Sequence, residues 1–155
     1  MEQLSAVDIK ILQVLATQGR IPNNALAARV GLAASTCLGR VKALQQQGVI
    51  RGFAADIDPA ALGFAIQAMV SVSMQAHARG KLTEFMDHAL RMPGVLNAYL
   101  LGGESDFLIH VAASSVEALR SLVIDGLSRN PDVASTETSI IFDYARATRM
   151  PVMAG

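Results

Sequence analysis

Apolar and polar positions along the chain follow two periodicities, and the change from one to the other divides it. From Ser5 to Gln47 apolar residues recur every three or four positions, the spacing of one helix face. Ser5 followed by Asp8 has the spacing of an N-cap with an acid in the first turn. Ile9, Leu12 and Leu15, flanked by Ile11 and Val14, then give a helix that Gly19 ends. A short second helix has Pro22 near its start, Leu26, Ala27 and Val30 on one side, and Gly31 as its break. The third is expected from about Ala33 to Gln47, where Cys37, Val41 and Leu44 recur, and it stops at Gly48. Three helices with a glycine turn between the second and third outline a helix-turn-helix unit.

Beyond Phe53 to Asp58, which reads as an extended linker ending at Pro59, the period falls to two. A strand is expected from Ala65 to Ser73 and a helix from Gly80 to Met92, with Leu82, Phe85, Met86 and Leu90 on one side and Pro93-Gly94 as its stop. Strands Val95 to Leu101 and Asp106 to Ala112 are joined by Gly102-Gly103-Glu104-Ser105. A helix from Ser115 to Ser128 displays Val116, Leu119, Leu122, Val123 and Leu127, and Pro131 precedes a last strand from Thr136 to Tyr144. This βαββαβ order predicts a ferredoxin-like antiparallel sheet with both helices on one face. The fold class is α+β: a helix-turn-helix domain over 1–52, a linker over 53–63 and a ferredoxin-like domain over 64–155.

The alternation also assigns the two faces of that sheet. Phe107, Ile109 and Val111 face the helices with Ile66, Ala68, Val70 and Val72, while Leu108 and His110 turn the other way with Gln67, Met69, Ser71 and Ser73. A second face carrying Met69 and Leu108 among polar residues is either solvated or a symmetric contact between subunits.

Composition narrows the classes. At 155 residues and 52% hydrophobic the chain is too apolar for disorder. The single cysteine, Cys37, excludes an intramolecular disulfide, and with only His77, His88 and His110 beside it no thiolate zinc site is expected. Cys37 lies on the inward side of its helix, and the histidines are scattered over loop, helix and strand. No nucleophile, base and orienter come together, so an enzyme is not expected. The N-terminus, with Glu2 and Asp8 in an amphipathic pattern, does not read as a signal peptide. The stretch between Asp58 and Arg79 lacks full charges, but its alternation from Ile66 to Ser73 marks a half-buried strand rather than a membrane span.

Charge is informative only when divided. Lysines and arginines number 13, and so do acids. Residues 1–52 hold Lys10, Arg20, Arg29, Arg40, Lys42 and Arg51 against Glu2 and Asp8, a net +4, and the remainder carries −4. The first unit is therefore suited to a polyanion. With Cys37, Val41 and Leu44 inward, Ser35, Thr36, Gly39, Arg40 and Lys42 point outward or flank the seam. Hydroxyls followed by cations suit the start of a helix entering a major groove, with a solvated polar face as the alternative. In the second unit, Gly102 and Gly103 open the backbone to a ligand, and Glu104 and Asp106 supply carboxylates for an ammonium such as that of an α-amino acid. A tight turn with solvated acids is the alternative.

At these residues the chain resembles a known family. The series Asp8-Ile9-Lys10-Ile11-Leu12, Gly19-Arg20-Ile21, Leu26-Ala27, Val30-Gly31-Leu32, Ser35-Thr36-Cys37, Arg40-Val41 and Gly48-Val49-Ile50-Arg51-Gly52-Phe53 is similar to the N-terminal domain of the Lrp/AsnC transcription regulators. The similarity continues through Asp58-Pro59 and Leu62-Gly63 over nearly the whole chain. The resemblance implies a winged-type helix-turn-helix domain whose third helix reads double-stranded operator DNA. Ser35, Thr36, Arg40 and Lys42, together with Arg20, are its DNA-binding candidates. It implies a homodimer paired through the sheets, with higher assembly such as an octamer, and a cytoplasmic, nucleoid-associated setting without membrane or cofactor. It places an amino-acid effector pocket between subunits: Gly103, Glu104, Asp106 and Phe107 match the loop, and Thr136, Thr138 and Ile140 match the strand that closes it. Three positions depart from the pattern. Ala33 stands where a capping serine is common, leaving Ser35 as a substitute cap. Gly39 replaces a polar side chain inside the reading helix, and Ser105 replaces a larger one in the loop.

Overall fold

The computed structural model describes residues 4–145, the side chain of Arg79 excepted, and these fall into two compact units that divide between Asp56 and Ile57. The last ten residues of the expected second domain lie outside the described residues.

The first unit contains helices α1 (Ala6–Thr17), α2 (Asn23–Val30) and α3 (Ala34–Gln46). Ser5 and Asp8 form a capping box: the Ser5 hydroxyl accepts from the Asp8 N–H at 3.2 Å, and the Asp8 carboxylate accepts from the Ser5 N–H at 3.1 Å. Gly31 closes α2 at φ 73°, a left-handed geometry that favours glycine, and the Leu32 N–H returns to the Ala27 carbonyl at 2.9 Å. The Asn23 side-chain amide donates to the Ala34 carbonyl at 2.8 Å, fixing the start of α3 against the start of α2. Ile11, Leu26, Ala27, Val30, Cys37 and Leu44 form the core, Ile11 and Cys37 with no exposure at all. α3 begins at an N-cap, Ala33, that offers no side-chain hydrogen bond. Ser35 therefore does not replace the missing cap, because it sits inside the helix, past the position a cap must occupy. Residues 51–58 carry no regular secondary structure.

Part of the expected linker is helical. The Asp58 carboxylate accepts from the Ala60 N–H at 3.0 Å, and with Pro59 pre-set for the first position the chain turns through a short 3-10 helix, Pro59–Leu62.

The second unit runs β1 (Ile66–Met74), α4 (Leu82–Leu90), β2 (Val95–Leu100), β3 (Phe107–Ala113), α5 (Val116–Ser121) and β4 (Val133–Ile141), its sheet ordered β2-β3-β1-β4 with every pairing antiparallel. This is the βαββαβ arrangement the sequence predicts. One face is dry: Ala68, Val70 and Val72 lie beside Val111, Ile109 and Phe107 and are roofed by Phe85, Ala89, Leu119 and Leu127. The Phe85 and Phe107 rings sit 4.9 Å apart. Each large apolar side chain among these, removed from water, contributes roughly 1.5–3 kcal/mol. The helices differ from the expectation. A 3-10 turn, Ala76–Lys81, precedes α4, and α5 passes into a π-helical stretch, Leu122–Ser128, in which the Arg129 N–H reaches the Ile124 carbonyl at 2.9 Å. β4 begins three residues earlier than expected, at Val133, and ends at Ile141 rather than Tyr144.

Candidate functional site

α3 turns Cys37 and Leu44 into the core and leaves Val41 half-buried at the seam. On the opposite side Ser35, Gly39, Lys42 and Gln46 recur at helical spacing as an exposed stripe, with Leu38 beside it at 44% exposure. Thr36 is exposed on the flank, and Arg20 is exposed beyond the end of α1. Arg29 is occupied by the Gln18 side-chain oxygen at 2.7 Å.

Arg40 differs from the expected free cation. It lies on the flank of α3 that faces α1, where its guanidinium donates to the Asp8 carboxylate at 3.0 Å and to the Ser5 hydroxyl at 3.3 Å. The α1 cap and the third helix are thereby clipped together. Burial raises the Asp8 pKa, but hydrogen bonds from Ser5 and Arg40 and the Arg40 charge outweigh it and hold the carboxyl below its usual 3.8. A cleft of about 280 Å³ lies beside the pair, between Leu4, Ser5 and Asp8 on one side and Arg40, Ala43 and Gln47 on the other. Burial pushes the Cys37 thiol pKa up, so the thiol is a core group.

In the second unit the expected pocket residues separate. Gly103 and Glu104 are exposed on the loop. Asp106 is committed to the fold, since its carboxylate accepts from the Met74 N–H at 2.7 Å and its own N–H donates to the Val72 carbonyl at 3.0 Å. Phe107, expected to line the pocket, is 1% exposed and packed on Phe85, because the register with Val72 turns it onto the helix-covered face. Thr136 is half-buried and its hydroxyl lies 2.8 Å from that of Ser128, whereas Thr138 and Ile140 are exposed. The register puts Thr136 opposite Val72 and Ile140 opposite Ala68, so Ile140 lies four residues along the strand from the loop end of the sheet. At about 3.3 Å per residue that is roughly 13 Å. One chain therefore does not gather Gly103, Glu104 and Ile140 into one cavity.

The helix-free face carries a feature absent from the candidate residues. His110 bridges three strands: its Nε2 lies 2.9 Å from the Gln67 side-chain oxygen and its Nδ1 3.4 Å from the Asn97 amide nitrogen. Burial lowers the His110 pKa below 6.5. Alternation places His110 on this face, but only the register shows Gln67 and Asn97 on either side of it. Gln46 was legible as the continuation of the Ser35 and Lys42 spacing.

Two family models match these two units: winged helix-turn-helix DNA-binding over residues 4–51, and the Lrp/AsnC ligand binding domain over residues 67–150. The HTH-type transcriptional regulator AldR of Mycolicibacterium smegmatis is 52% identical over 92% of this chain and 84% of the relative. The chain belongs to the Lrp/AsnC family. The leucine-responsive regulatory protein of Rhizobium meliloti is 36% identical over 89% of this chain and 88% of its own length. Among solved structures, a Neisseria meningitidis transcriptional regulator in complex with L-Met superposes with a TM-score of 0.85 at 32% identity, covering 96% of this chain and 97% of that one. This Lrp/AsnC chain is a DNA-binding transcriptional regulator with a ligand-binding domain, and its relatives are named as regulators, not enzymes. Among the described residues no helix is long and apolar enough to cross a membrane.

Proposed function

We propose that this Lrp/AsnC protein is a sequence-specific operator-binding regulator that assembles through its second unit, as a homodimer and higher, and senses an amino acid there. The observation that carries the DNA half is the exposed α3 stripe of Ser35, Gly39, Lys42 and Gln46 on a unit with a net charge of +4. Residues 1–52 bind DNA, residues 53–63 connect, and residues 64–155 hold effector and partner. Thr36 and Arg20 add backbone contacts, and the protein works in the cytoplasm on the nucleoid. The amino-acid reading is supported by the L-Met complex of the Neisseria relative and by the exposed Gly103, Glu104, Thr138 and Ile140. Their separation within one chain calls for a second copy to complete the site.

The use of Asp106 and Phe107 inside the fold favours a second reading, an effector-independent DNA-binding protein. One experiment separates the two: retention on DNA from upstream of the protein's own gene, titrated with salt in the presence and absence of each amino acid. Affinity should fall steeply with salt, as phosphate contacts release counterions, and Lys42→Ala should flatten the slope by about one. One amino acid should shift the midpoint. If none does, the effector-independent reading stands, and a flat salt response overturns the DNA assignment.

A further inference from the structure

We propose that Leu38 reads a thymine of the operator through its C5-methyl group, with the bare backbone at Gly39 letting the helix come close enough to do so. The inference rests on the reading that α3 enters the major groove. Arginine bound bidentately to guanine is the commonest specific contact there, but the single arginine of α3, Arg40, is held by Asp8 and Ser5 on the flank facing α1. The outward side offers a hydroxyl at Ser35, a cation at Lys42, an amide at Gln46 and one apolar side chain, Leu38, 44% exposed and absent from the core of its unit. A side chain built at Gly39 would meet nothing within 4 Å, so the space beside Leu38 is open. The thymine methyl is the one apolar group on a base edge in the major groove. Cytosine presents no methyl there and an amino donor that Leu38 cannot pair, so Leu38 selects thymine over cytosine by burial and by the donor it would strand.

The test uses the full-length protein and duplexes it selects from a randomised library, with each selected thymine replaced singly by deoxyuridine, which removes only the methyl group. At one position per half-site the replacement should weaken the wild-type protein about fourfold, the factor for one buried methyl. Leu38→Ala should bind the thymine duplex about as weakly and be indifferent to the replacement. Lys42→Ala should lose affinity and keep the sensitivity. The proposal is overturned if no deoxyuridine position weakens the wild type, or if Leu38→Ala responds to every position as the wild type does. If Ser35→Ala, Leu38→Ala and Lys42→Ala all bind as the wild type does, α3 is not the reading helix and the underlying assignment fails with it.

Discussion

At the scale of single residues the decisive group is Asp8, whose one carboxylate takes three donor groups from two residues, Ser5 and Arg40. It completes the α1 capping box, accepts from Ser5 and neutralises Arg40 at 3.0 Å while itself 15% exposed. Asp8→Ala leaves the Ser5 cap but removes the carboxylate half of the capping box and the ion pair together, and should cost about 1 kcal/mol in urea denaturation. Arg40→Ala leaves the cap intact and should cost less, since its guanidinium is 41% exposed and the pair is screened. The pH dependence has a definite sign. Because the folded Asp8 pKa lies below 3.8, its contribution is complete above that value and disappears as pH falls through the folded pKa. The Asp8→Ala deficit should therefore shrink in strong acid, and a deficit constant down to about pH 2, below the range in which carboxylates ordinarily titrate, would remove the carboxylate from the explanation. A loss of DNA affinity in Arg40→Ala then has two sources, and Asp8→Asn separates them by keeping the cap geometry while dropping the charge.

At the scale of elements two glycines make a comparison. Gly94, at φ 88°, opens β2, and a side chain there would lie 2.7 Å from the Ala112 carbonyl oxygen, a backbone atom that holds the sheet and cannot move aside. A side chain at Gly126, in the π-helical stretch, would run into Met92 Cε, but that is the free end of a flexible side chain. Gly94→Ala should cost about 2–3 kcal/mol, strain and clash combined. For Gly126→Ala the off-rotamer cost to Met92, about 0.5–1.5 kcal/mol, is largely offset by the gain of about 1 kcal/mol in helix propensity. Equal losses in chemical denaturation would contradict this account. The π-helical stretch was hidden from the sequence for a physical reason: Val116, Leu119, Leu122, Val123 and Leu127 fit an ordinary helix, and the residue that widens the turn leaves no gap in the apolar series. The start of β4 was hidden because Ala134 to Ser139 has no apolar alternation, its hydrogen bonds to β1 supplying what burial does elsewhere. The cores and the βαββαβ succession of elements were legible because local periodicity determines them. The roles of Asp106 and Arg40 were not, since each partner lies 32 residues away in sequence. Phe107 was assigned both to the helix-facing set and to the pocket, and the register with Val72 decides for the core.

At the scale of the whole molecule, the proposed pairing through the helix-free face would link assembly to protons. Met69, Leu108 and Tyr99 surround His110 on it, with Glu137 on β4 and Asp106 at the start of β3 the acids on the same side. The neutral imidazole fits its neighbours: a proton on Nε2 donates to Gln67 while Nδ1 accepts from Asn97. Protonation puts a second donor opposite the Asn97 amide and a charge on a half-buried surface, which is why burial holds the pKa below 6.5. Covering this face with a second copy desolvates the ring further, so pairing excludes the proton and weakens as pH falls. Pairing is fully favoured above the pKa of the ring in the single copy, itself below 6.5, and weakens as pH falls through that pKa toward the lower one of the covered ring. The homodimer proposed above should accordingly dissociate more readily at about pH 5.5 than at about pH 7.5, by up to about tenfold per pH unit for each imidazole, as read by sedimentation velocity. His110→Gln, which cannot titrate, should remove that part of the pH dependence while His77 and His88 remain. A His110→Gln profile that follows the wild type would place the proton elsewhere, and association unaffected by Tyr99→Lys would show that the partner does not use this face.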